Sequence, residues 1–264
     1  MNYTKGWSAC LLLAAAAAAG TSQHAAAQTQ GSDRWCVDMI NADCNSFGSG
    51  GQFGMPVPAP PTPGRAGATF DMTGVWTSVI TEDWRWRVLT PPKGDYASVP
   101  LNPEGTRVAD LWDPESDADT CKHFGAPGLM RNPLRVRIDW ENDMTLRLQT
   151  DHGMQTRQFH FDEQGVAGGA PSLQGDSVAR WHETGLEVVT TNLSAGYLRK
   201  NGVPYSEDAV LIEYYDRFSV FDDDWLVVTT VVEDPTYLSR EFITSSQFKR
   251  LDDDSAWNPM PCGT

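Results

Sequence analysis

The chain has 264 residues and carries 35 acids against 20 bases, a formal net charge of −15 at pH 7. A surface this acidic repels nucleic acid and anionic membranes, so neither is expected as a partner. The length suffices for one domain with a sizeable core.

Residues 1–27 read as a secretory signal peptide. Lys5 gives a short basic start, ACLLLAAAAAAG is an apolar run, and Ala25, Ala26 and Ala27 offer small residues for cleavage before Gln28. The run is too short to span a bilayer, and no later stretch is apolar enough to do so. The expectation is a secreted or periplasmic protein without membrane insertion. Cys10 lies before or within the run, which argues against a lipid-anchored cysteine at the cleavage site. Cleavage removes Lys5 and no acid, leaving 19 bases against 35 acids.

Four cysteines then remain: Cys36, Cys44, Cys121 and Cys262. An even number in an exported chain suggests two disulfides, with three possible connectivities. Cys36 and Cys44 are near neighbours in a flexible segment and are paired with each other, which leaves Cys121 for Cys262. A metal centre would want CxxC spacing or a nearby histidine pair, and the sequence has neither.

Residues 28–69 read as a linker, with GSGGQFG followed by the stiffer PVPAPPTPG. The domain is expected over residues 70–264. FDMTGVWTSVI heads it as a first strand, with the strand pattern running on through Trp84, Arg85, Trp86 and Arg87 after a bend at Glu82 and Asp83. A long irregular insertion covers residues 91–133, with PEGTRVADLW as a short helix.

The clearest pattern is LRVRIDW, MTLRLQT and MQTRQFHF, three strands joined by the turns END and DHG. Val136, Ile138 and Trp140 alternate with Arg135, Arg137 and Asp139, the mark of a strand with one face in a core. A three-residue turn over 141–143 would set Ile138 beside Leu146 and Val136 beside Leu148. In the next hairpin, a three-residue turn would put Arg157 outside, opposite Arg147. A two-residue turn at His152 and Gly153 puts Arg157 beside Leu148 and Phe159 beside Leu146. Opposed like charges disfavour the first arrangement, and a one-residue slip exchanges the faces, so the second is expected, with Arg157 inward. SVARWHE with LEVVTTNL, then AVLIEYYDRFSV with WLVVTTVVED, and finally EFITSSQFKRL, complete roughly ten strands. Sequential hairpins argue for an all-β, antiparallel up-and-down meander of about 8–10 strands, closed into a barrel that removes its edges.

The Gly74-Val75-Trp76 motif on the first strand, the meander, and a basic residue on the last strand resemble the lipocalin and wider calycin pattern. That resemblance implies Trp76 at the barrel floor with Arg250 packed across it. The stretches TPPKGDY, CKHFGA and YLRKNGVPYS also resemble a family of exported bacterial proteins.

The histidines show no ligand spacing, and DPESDADT lacks the glycine of a calcium loop, having Ala118 there, so no metal and no cofactor is expected. Nor is there a GxSxG elbow or a glycine-rich phosphate loop. An inward Arg157 needs a partner, and Asp216 lines up with Val210, Ile212, Tyr214 and Phe218 on the apolar side of its strand; Glu213 lies on the other. The long loop AGYLRKNGVPYSED offers Tyr197 and Arg199 at the barrel rim. The expected function is binding of a small, largely apolar ligand with an acidic or polar end inside the barrel. Its site would comprise Arg157, Gln155, Phe159, Asp216, Tyr214, Tyr197 and Arg199. The alternative is a cofactor-free isomerase, lyase or cyclase in the same cavity, with Tyr197, Glu213 or Asp216 as acid or base.

Overall fold

A computed structural model describes residues 63–117, 119–162, 166 and 168–262. The expected signal peptide and the expected Cys36–Cys44 pair lie outside the described residues. Thirteen strands are described: β1 Gly74–Val79, β2 Arg135–Asn142, β3 Thr145–Thr150, β4 His152–Gly153, β5 Thr156–His160, β6 Asp176–Trp181, β7 Leu186–Thr191, β8 Gly196–Arg199, β9 Val203–Tyr205, β10 Val210–Val220, β11 Asp223–Glu233, β12 Phe242–Arg250 and β13 Met260–Pro261. Three short helices accompany them: α1 Trp84–Arg87, α2 Pro103–Leu111 and α3 Ala126–Leu129. Residues 84–87, expected to continue a strand, are therefore helical. Gly64–Gly67, expected in the linker, is a 3-10 turn whose Gly64 carbonyl accepts from the Trp181 indole at 2.8 Å.

Nine strands close into a barrel in the order β1-β12-β11-β10-β7-β6-β5-β3-β2. The barrel is thus mostly a meander, but not wholly antiparallel. β5 and β6 run parallel, Phe159 beside Ser177 and His160 beside Val178. Parity requires this: neighbours in a closed ring can all alternate in direction only if the ring is even, whereas lipocalin barrels have eight strands. Leu173, between these two strands, lies beside the insertion, its carbonyl accepting from Ala126 N at 2.8 Å.

Register decides what lies inside. Leu148 pairs with Arg157 and Leu146 with Phe159, so Arg157 and Phe159 enter the barrel. Between β2 and β3 the expected pairing is off by two: Ile138 sits opposite Leu148 and Trp140 opposite Leu146, with a bulge next to Asn142. An even slip preserves faces, so the apolar residues stay inside. β10 reverses the expectation. Leu211, Glu213 and Tyr215 are buried within the barrel, while Asp216 and Phe218 face solvent.

The interior is filled. One apolar cluster joins Trp76, Val136, Ile138, Leu148, Phe159, Val188, Leu226 and Phe248, and a second gathers Tyr205, Leu211, Val232 and Phe242 near one end. Trp76 is fully buried, its indole donates to Met72 O at 3.0 Å, and the Arg250 guanidinium lies 5.6 Å from its ring centre. The insertion of residues 91–133 and the β8–β9 hairpin cover the second cluster. Cys121 is disulfide-bonded to Cys262, which ties this cover to the C-terminus. β13 in turn pairs with β4 in the turn before β5.

Tyr205 is packed into a slot made by two glycines: a Cβ on Gly125 or Gly196 would meet its hydroxyl at 2.0 or 2.5 Å. That hydroxyl has no hydrogen-bond partner, and burial pushes its pKa up. Tyr205→Phe is therefore expected to stabilise by about 1 kcal/mol, because it removes only an unsatisfied group. Gly196→Ala is expected to cost about 1–3 kcal/mol through overpacking. Urea midpoints at constant slope measure both.

Candidate functional site

Two places bring together the residues the sequence singles out. The first is inside the barrel. Arg157 reaches across from β5, with Nη2 2.6 Å from Oε2 of Glu213 and Nη1 donating to Oε1 at 3.0 Å. Nη2 also donates to Thr190 Oγ1 at 3.0 Å, and the Tyr215 hydroxyl donates to Glu213 at 3.2 Å. The guanidinium stacks 5.0 Å from the centre of the Phe159 ring. Both ionic side chains are wholly buried. Burial and the neighbouring Glu213 hold the Tyr215 hydroxyl well above its ordinary pKa, so it stays protonated. The group is a closed ion pair in a packed core, without solvent access for proton exchange.

Glu213 rather than Asp216 is thus the partner of Arg157. Asp216 is exposed on the outer face, and Tyr214 is half-buried there. Gln155 is also elsewhere: it donates to Gly153 O, and its side-chain oxygen accepts from Gln174 at 2.9 Å.

The second place lies outside the barrel, in a cleft of about 10 Å³ lined by Trp86, Arg87, His123, Gly128, Arg131, Asn132, Leu198, Arg199 and Lys200. α1 turns Arg87 toward the barrel end, where Nε donates to Arg131 O at 3.0 Å and Nη2 to Ser246 Oγ at 3.4 Å. Arg87 is paired with Glu82, and Arg131 with Asp83 at 2.8 Å. Arg85, on the same helix, is paired with Asp95. Arg199 makes no such ion pair. It is 4 % exposed, and none of its three guanidinium nitrogens has a hydrogen-bond partner. The Trp86 ring lies 5.0 Å away, and the Asp83 and Asp95 carboxylates, though not bonded to it, favour its charge. Burial, and then Arg131, bring its pKa down to about 10, so it remains charged at neutral pH. Lys200 is half-buried beside it and holds only Val88 O, at 3.4 Å. Burial and the Lys200 charge lower the His123 pKa to about 4, which leaves that ring neutral at pH 7.

Arg199 was legible as a loop cation. The cleft was not, because Arg87 and Arg131 come from an irregular insertion. Tyr197 stands apart from the cleft lining: its hydroxyl donates to Asp117 at 2.6 Å and the Lys122 ammonium lies 5.4 Å from its ring centre. A larger surface cleft of about 280 Å³, lined by Thr77, Leu134, Arg135, Asp151, His152 and Met260, has its charges paired: Arg135 Nη1 meets Asp151 at 2.9 Å. Among the described residues no three His, Cys, Asp or Glu side chains gather as a metal centre requires. Compared with protein-family models, curated proteins and solved structures, the chain matches none.

Proposed function

We propose that the protein is an exported binding module for a small, largely apolar molecule with an acidic end, and that the acidic end seats at Arg199. One observation carries the reading. A buried guanidinium without a hydrogen-bond partner costs several kcal/mol, and an acidic ligand would supply the missing partner. The barrel then serves as a rigid support, since its interior is filled and the cleft is built from the segments that cover one end. The Cys121–Cys262 disulfide supports an oxidising compartment, in keeping with the leader at residues 1–27.

A residue kept for binding at the expense of stability has a distinct signature. Arg199→Met is expected to raise the stability of the ligand-free protein by about 1–3 kcal/mol, because it removes an unsatisfied buried group. The same change should weaken binding of small organic acids by about tenfold or more. Urea unfolding and calorimetric titration read the two effects. If Arg199→Met destabilises the protein and leaves acid binding intact, Arg199 is structural and the reading fails.

A further inference from the structure

We infer that the ligand is a monocarboxylic acid with an apolar body, its carboxylate at Arg199 and its body along Trp84, Val88 and Leu89. The inference rests on the binding reading above and names the ligand class for that cleft.

The size of the cleft limits the head group. A volume of about 10 Å³ admits one group about the size of a water molecule. A flat carboxylate can place one oxygen inside and leave the rest of the molecule outside. A phosphate monoester could insert one oxygen in the same way, but it would leave two further charged oxygens outside, so charge rather than volume separates the two.

Charge points the same way. Arg87, Arg131 and Arg85 are each matched by Glu82, Asp83 and Asp95. Among the cations that line the cleft, that leaves Arg199 and Lys200 without an ion pair to a carboxylate. A carboxylate bridging them satisfies both, whereas a dianion would also meet the three acids around the cleft.

The body has its own surface. Trp84 and Val88 are four residues apart on α1 and its C-terminal cap, so they share a face. They are 60 % and 47 % exposed, and Leu89 beside them is 52 % exposed. The Val88 carbonyl accepts from Lys200 Nζ at 3.4 Å, which joins the backbone of this segment to the edge of the cleft, although none of the three side chains lines the cleft itself.

The test is calorimetric titration of the mature protein with acetate, octanoate and octyl phosphate, repeated on Arg199→Met and on a Trp84→Ser/Leu89→Ser double variant. Both serine sites are exposed, so the double variant should keep the fold, and circular dichroism checks this. The expected result is octanoate binding at least about tenfold tighter than acetate, with that advantage lost in the serine variant and all binding lost in Arg199→Met. Equal binding of acetate and octanoate would overturn the apolar body. A preference for octyl phosphate over octanoate would overturn the carboxylate. Either result would leave acid binding at Arg199 standing. If none of the three acids binds, or if Arg199→Met binds octanoate as the parent does, the binding reading itself is overturned.

Discussion

Arg157→Met is expected to lower the unfolding free energy by about 3–5 kcal/mol. The reason lies with Glu213. Its carboxylate is wholly buried and is held by two guanidinium nitrogens and the Tyr215 hydroxyl. Without Arg157 it must either keep a charge in a packed core or take up a proton. The double change Arg157→Met/Glu213→Leu removes both charges and should regain most of the loss, because apolar replacement of a buried ion pair is often neutral. Urea unfolding of the three proteins checks this. A double variant no more stable than Arg157→Met would show that the pair contributes more than charge neutralisation. Arg199→Met should change stability in the opposite direction, although both arginines are buried, because only Arg157 is bonded directly to a carboxylate.

Breaking the disulfide is the second large effect. Cys121 and Cys262 are 141 residues apart in sequence, and their bond closes most of the described fold into one loop. Loop-closure entropy for that length gives about 5 kcal/mol of stabilisation. The bond also fixes the segment that includes His123 and Phe124, so it steadies one wall of the cleft. Cys121→Ser/Cys262→Ser, compared with the oxidised protein in guanidinium unfolding, should show a drop of that order. A drop below about 1 kcal/mol would mean that the cover and the C-terminus stay docked through packing alone.

The sequence carried more of the barrel than of the cleft. β2, β3 and β5 alternate with a clean period of two, and the conflict between Arg147 and Arg157 was enough to choose the face of β5. The bulge next to Asn142 shifted one register without changing a face, so the core there was still legible. β10 was not, because apolar residues occur on both sides of it. Ile212 and Tyr214 pack on the outside, while an acid lies inside between Leu211 and Tyr215. Hydrophobic pattern alone places Glu213 in water; only the demand of Arg157 for a counter-charge points inward. The cleft was hidden for a different reason. Its walls come from residues near 86, 130 and 199, which no local period connects.

The parallel joint gives the ring a seam. β10 and β11 pair along their full lengths, whereas β5 and β6 meet at two positions only. A closed cylinder breathes where its lateral bonding is thinnest, and here that line runs between Phe159 and Ser177. Parting it would leave one continuous nine-strand ribbon, and because the ring follows chain order no segment would have to be threaded to reseal it. Arg157 stands on one lip of this seam, yet its Glu213 and Thr190 partners stand beyond the other, on β10 and β7. The buried ion pair therefore acts as a stay across the line at which the cylinder would otherwise unroll.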